Sequence, residues 1–242
     1  MQSEIAVSIP LTREDIPADR TTPMVEPRSR SHRACRFMNI VIASTALVLA
    51  SPIMLVFAVL IKLTSPGPIF YSQARVGIDR RRTRARNNVY DRRTRDLGGN
   101  PFIIWKFRSM HVNAERESGA IWATAGDPRM TAVGRVMRKC RIDELPQLFN
   151  VIRGDMNIVG PRPERPAIFS RLCRDIEEYP LRQRAKPGIT GWAQINQTYD
   201  VTVEDVRNKV RYDLEYLERQ GVREDLKIMA RTVPIVMLGR GW

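Results

Sequence analysis

The sequence predicts an α/β body made mostly of helices, set behind an apolar segment long enough to enter a membrane. Three observations predict it. From Asn39 to Ile61 run 23 residues without a charge, and about 20 apolar residues suffice to span a bilayer. Apolar residues recur at helical spacing from Val133 to Ile152 and from Val206 to Leu217, the pattern of helices with one buried face. Two short runs rich in aromatic and β-branched residues, near 69–76 and 101–106, read as a small strand element.

Composition narrows the partners. A chain of 242 residues holds one full core and a small appendage. Its 40 Lys and Arg against 26 Asp and Glu leave a net charge of +14, which favours phosphates, acidic lipid headgroups or nucleic acid. Cys35, Cys140 and Cys173 lie far apart and are odd in number, so neither a disulfide framework nor a zinc spacing is visible. Two histidines argue against a histidine-ligated metal. The first apolar run begins near residue 40, so the start does not read as a signal peptide.

Taken in order, residues 1–33 mix Pro, Ser, Thr and charges without periodicity and read as a disordered tail. The membrane segment, 34–63, carries Ser51-Pro52 at its middle. Proline removes a helix hydrogen bond, so a break is expected there, with Ser51 placed to satisfy a freed carbonyl. Basic residues flank both ends, Arg33 and Arg36 before, Lys62 and Arg75 after, which suits a segment that enters and leaves on the same side. A proline-kinked single span fits the same residues, and both readings stand. The body, 64–242, opens with the turn cluster Ser65-Pro66-Gly67-Pro68 and contains a basic insert at 79–100, with eight arginines between Arg80 and Arg95. That insert reads as a solvated loop or as a contact for acidic lipid. The run through Ile152 stops at Gly154. A last apolar segment from Asp225 to Leu238 is interrupted by Pro234.

Three constellations are suited to chemistry. In Asp143-Glu144-Leu145-Pro146-Gln147 the proline requires a helix to begin at or just after Asp143. Two carboxylates then stand at a helix start, where acids cap well. Adjacent carboxylates also suit a division of labour between nucleophile and metal ligand. Lys106, Arg108, Arg138, Arg162 and Arg165 surround this pair in sequence, and such cations suit phosphate. Two prolines hold Arg162 within Gly160-Pro161-Arg162-Pro163, which reads as a rigid arginine-bearing loop or a plain surface turn. In Lys186-Pro187-Gly188-Ile189-Thr190-Gly191-Trp192 the tryptophan either stacks a base or packs into a core. Asp225 reads as an N-cap or as a further polar member of the site. Phosphate-loop, dinucleotide and serine-elbow signatures are missing.

Taken together and in chain order, Ser51-Pro52, Ser65-Pro66-Gly67-Pro68, Lys106-Phe107-Arg108-Ser109-Met110, the Asp143 motif, Gly154-Asp155-Met156, Val159 through Pro163 and the Lys186 motif closely resemble the bacterial sugar transferase family. These are monotopic phosphoglycosyl transferases of the small type, acting on polyprenyl phosphate at the start of exopolysaccharide and O-antigen assembly. The resemblance covers roughly residues 34–242. It implies a re-entrant membrane helix broken at Ser51 and Pro52, amphipathic surface helices, and a catalytic body on the cytoplasmic face of the bacterial inner membrane. It also implies transfer of a hexose 1-phosphate from a UDP-sugar to polyprenyl (undecaprenyl) phosphate. In that scheme Asp143 attacks phosphorus and UMP leaves, Glu144 and Asp143 hold Mg²⁺, and Lys106, Arg108, Arg138, Arg162 and Asp225 bind the substrate. Expected partners are the UDP-sugar, the polyprenyl phosphate and membrane lipids, without nucleic acid, and a homo-oligomer is left open. A membrane-anchored basic binding protein or a non-catalytic scaffold is the competing reading.

Overall fold

In the computed structural model the described residues are 27–79, 99–114, 127–197 and 202–237. Residues 1–26 of the expected tail and 80–98 of the basic insert lie outside them.

A 33-residue helix, α1 (His32–Thr64), starts on Ser31, whose Oγ accepts from the Ala34 N–H. At Ser51-Pro52, where a break was expected, helical residues continue on both sides of Pro52. Proline cannot donate to the carbonyl four residues back, Val48, and Ser51 Oγ donates to that oxygen instead at 2.8 Å. Satisfying the orphaned group locally lets the helix run through. The expected tail is also tied down from Arg28, whose N–H donates to Leu217 O at 2.9 Å.

The strand element forms as an antiparallel hairpin, β1 (Phe70–Val76) with β2 (Pro101–Phe107), in a register that sets Tyr71 opposite Lys106. Short helices follow: α2 (Ala132–Lys139), a 3-10 turn at Ile142–Glu144, and α3 (Gln147–Arg153). Thr131 caps α2 through the Gly134 N–H at 2.9 Å. A Cβ on Gly134 would lie 1.9 Å from Ser109 O, so only glycine lets α2 sit this close to the chain leaving β2. Gly154, at φ +93°, ends α3 as expected.

Beyond it come β3 (Asn157–Val159), α4 (Pro166–Asp175), a 3-10 turn at Tyr179–Arg184, β4 (Gly188–Thr190), α5 (Trp192–Asn196), α6 (Val203–Arg219) and α7 (Val222–Met237). Strands β3 and β4 pair in parallel, a pairing not foreseen from sequence because each is three residues long. The stripe Val206, Val210 and Leu217 is buried on α6, as its spacing required. Pro234 lies inside α7 without ending it, and Asp225 stands in that helix's first turn, donating its N–H to Gly221 O, so it does not open the helix.

The main core gathers Ile104, Leu148, Val151, Met156, Val159, Leu217 and Ile228, joined by Ala43 of α1. A smaller cluster joins Phe57 and Ile61, near the other end of α1, to Phe107 and Met137. Both ends of α1 thus rest on one body. The middle does not: Val48, Leu49, Ile53, Leu55 and Val56 are exposed, and only 11% of the helix's most apolar 18-residue stretch is buried.

Candidate active site

The acidic pair occupies the 3-10 turn between α2 and α3, with both side chains about 6% exposed. Arg141 precedes it at φ +57°, a left-handed conformation that an arginine adopts only when its surroundings fix it. Glu144 is the hub. Its Oε1 accepts from Lys106 Nζ at 2.8 Å and from Arg162 Nη2, while Oε2 accepts from Arg162 Nη1 at 3.4 Å and Arg141 Nη1 at 3.5 Å. Burial pushes its pKa up, but Arg162, Lys106 and Arg141 outweigh burial and hold it well below the usual carboxylate range. For Asp143 the balance reverses. Burial raises its pKa against the pull of Lys106, and the Glu144 charge adds to the rise. Asp143 makes no hydrogen bond or ion pair among the described residues. Burial lowers the Lys106 pKa, only partly countered by Glu144.

Each cation is delivered by a fixed element. Lys106 comes from β2 on the hairpin face shared with Arg75, since alternate residues of a strand share a face. The Arg162 loop is held from three sides. Arg75 donates to Pro163 O at 3.0 Å and to Glu164 at 3.2 Å; Arg182 donates to Arg162 O at 3.1 Å; Gly188 N–H donates to Pro161 O at 3.0 Å. Arg182 is itself buried against Asp213, with Nη2 2.6 Å from the carboxylate. The prolines are therefore one part of the rigidity and a buried ionic scaffold is the other.

A model of the bacterial sugar transferase family matches residues 30–239. The chain belongs to the bacterial sugar transferase family. Among its relatives, a UDP-N-acetylgalactosamine-undecaprenyl-phosphate N-acetylgalactosaminephosphotransferase of Aeromonas hydrophila is 42% identical over 206 residues, 85% of this chain and 44% of the relative. A UDP-glucose:undecaprenyl-phosphate glucose-1-phosphate transferase of Escherichia coli is 42% identical over 200 residues, 82% of this chain and 39% of the relative. The exopolysaccharide production protein ExoY of Rhizobium meliloti is 34% identical over 208 residues, 86% of this chain and 87% of the relative. The chain thus spans less than half the length of the first two.

Within this family member, the structure brings Asp143, Glu144, Lys106 and Arg162 together, and Arg138 lies near enough to act electrostatically on Asp143. Two expected site residues, Arg108 and Asp225, have their partners elsewhere. Arg108 is committed to the turn after α1, donating to Pro66 O and to both Ser65 O and Ser65 Oγ at 2.7 Å. Asp225 shares no partner with Glu144; Tyr216 OH donates to it at 2.8 Å and Arg30 lies 3.6 Å away. Trp192 packs against the main core, donates to Glu215 at 2.9 Å and lies under Arg231, which answers the stacking-or-packing question in favour of packing. Arg141 and Arg75 are members that sequence reasoning missed. The only signal for Arg141 was its place two residues before Asp143.

Among the described residues no three His, Cys, Asp or Glu converge as a metal cluster. As a hard oxygen donor without a partner among those residues, Asp143 would suit a Mg²⁺ ion. Glu144 fits less well, because both of its oxygens already accept from cations.

Proposed function

We propose that this chain transfers a sugar 1-phosphate from a UDP-sugar to polyprenyl phosphate through a covalent intermediate on Asp143. The observation that carries it is the contrast within the acidic pair: Glu144 is neutralised by Lys106, Arg141 and Arg162, whereas the buried Asp143 beside it has no hydrogen-bonded partner among the described residues. A desolvated carboxylate without hydrogen bonds is a better nucleophile than one tied to donors. Three cations, Lys106, Arg141 and Arg162, stand against two carboxylates, leaving positive charge for a diphosphate.

In the first step an Asp143 oxygen attacks the phosphorus that carries the sugar. The bond from that phosphorus to the bridging oxygen breaks, and its electron pair leaves with UMP. In the second step an oxygen of polyprenyl phosphate attacks the same phosphorus, and the bond to Asp143 breaks, restoring the carboxylate. Lys106 and Arg162, fixed on Glu144, are placed to bind the charge that accumulates on the phosphoryl oxygens. Mg²⁺ held by Asp143 would supply charge masking for the approach of one anion to another.

The substrates are supported by the relatives' names, two of which specify undecaprenyl phosphate and a UDP-sugar. Entry of α1 into the bilayer, and its return to the same side, is supported by its exposed apolar middle and by the docking of both its ends on one body. A body on the cytoplasmic face of the inner membrane, where UDP-sugars are made, goes with that reading.

The test is purified full-length protein with Mg²⁺, undecaprenyl phosphate and a panel that includes UDP-glucose and UDP-N-acetylgalactosamine. Wild type should release UMP with at least one sugar, and Asp143→Asn should lose on the order of 10³-fold or more. Mass spectrometry should find the phosphosugar on the peptide containing Asp143. Full turnover by the Asn variant would overturn the assignment of the nucleophile.

A further inference from the structure

Away from the acidic pair, a cavity of about 360 Å³ lies between the start of α1 and the start of α7. Arg28, Arg30, Arg219, Arg223 and Lys227 line it, against the single acid Glu224. Three of these cations already have partners: Arg30 lies by Asp225, Arg219 by Glu215, and Lys227 by Glu224. Among the described residues Arg28 and Arg223 have no ion pair, so within that set the cations of the cavity outnumber its acids. Gln220 adds a second kind of demand. It is 5% exposed, its amide donates to Arg28 O at 3.1 Å, and its Oε1 is a buried acceptor without a donor among the described residues. An occupant that satisfies this cavity therefore combines an anion with a hydroxyl or ammonium donor.

The surroundings choose among such molecules. Cys35 of the lining stands four residues before Asn39, where the uncharged run begins, about 6 Å along the helix. Val222 lines the cavity at its other side, and Leu226, four residues on, extends its exposed apolar face along α7. A soluble phosphate would use none of that apolar surface.

We propose that this cavity is a headgroup site for an anionic phospholipid of the phosphatidylglycerol kind, separate from the acidic pair. Arg28 and Arg223 take the phosphodiester, Gln220 Oε1 accepts from a glycerol hydroxyl, and the acyl chains lie along Val222 and Leu226. The proposal rests on α1 lying in the membrane. Carbonate extraction of membranes tests that placement separately, since a peripheral protein would be released whatever its lipid preference.

The experiment titrates the full chain, in neutral detergent, with short-chain phosphatidylglycerol, phosphatidylcholine or inorganic phosphate, and follows thermal unfolding. Phosphatidylglycerol should raise the midpoint with a saturable dependence, and the other two should not. Arg28→Ala with Arg223→Ala should weaken that affinity at least tenfold, and Gln220→Leu should weaken it while retaining the unliganded midpoint of a folded protein. Equal shifts with phosphatidylcholine, or an unchanged affinity in the double variant, would overturn the site. An equal shift with inorganic phosphate would overturn the lipid as occupant. Should the double variant unfold, Arg28→Lys and Arg223→Lys replace it, and an unweakened phosphatidylglycerol affinity in both counts against the proposal.

Discussion

Glu144 shows how one side chain organises a site without reacting in it. Three cations from β2, the turn before it and the Arg162 loop converge on its two oxygens, and burial makes each contact matter. Glu144→Gln would leave Lys106, Arg141 and Arg162 with Asp143 as their nearest anion. We expect a loss of about 3 kcal/mol in stability, the usual scale for breaking a buried ion pair from one side, together with a fall in UMP release. A variant as stable as wild type by chemical denaturation would contradict this. Asp225 offers a test by pH. Burial raises its pKa from an ordinary 3.8 to about 6, despite Tyr216 and Arg30. Between these values the native state holds a proton that the unfolded chain has released, so stability falls as pH rises from about 4 to about 6 and then levels. The two pKa units correspond to roughly 3 kcal/mol at most. Asp225→Asn should flatten the unfolding midpoint across this window, and a slope identical to wild type would refute the assignment.

At the scale of elements, α1 is fastened to the body by polar contacts that hydropathy does not display. Asn39 is buried; its amide donates to Cys35 O at 2.7 Å and its Oδ1 accepts from the Ile158 N–H of β3 at 2.6 Å. One turn earlier, Arg36 donates to the carbonyls of Val151 and Ile152 at the C-terminal end of α3, where Val151 O also accepts from the Gly154 N–H. Asn39→Ala removes the acceptor and strands a buried backbone N–H. The expected cost is about 1–3 kcal/mol, measured as a lower unfolding midpoint with faster proteolysis between α1 and the body. Unaltered proteolysis and midpoint would show that the contact is dispensable. Asn150 performs a similar service for the hairpin, accepting from Trp105 N–H at 3.2 Å and donating to Ile103 O at 2.7 Å, so that the edge of β2 is covered by α3.

For the whole molecule, the decisive feature is that Ala43 and Phe57 belong to two clusters of the same body while Val48, Leu49, Ile53, Leu55 and Val56 between them are exposed. One folded body cannot occupy both sides of a bilayer. Single cysteines placed near residues 25 and 70, in a chain whose native cysteines are replaced, should therefore react with a membrane-impermeant reagent from the same side. Labelling from opposite sides would reject re-entry and favour a single span.

Local rules made the apolar segment, the strand pair at 69–76 and 101–106, the stop at Gly154 and the acidic pair readable, because each is set by neighbours within a few residues. Seven short motifs in order also carried the family. The sequence by itself did not separate capping from chemistry at Asp143 and Glu144, nor did it reveal that Arg108 serves a turn or that Arg75 and Arg141 belong beside the site. Those outcomes depend on which charges share a buried volume. Arg75, Lys106, Arg141, Arg162 and Glu144 lie up to 87 positions apart in the chain, and their energies follow from distance and desolvation in space. At Pro52 the contact is local and was legible: the Ser51 hydroxyl reaches the carbonyl that proline leaves bare, three residues back. Composition and spacing name the participants, and packing decides which of them meet.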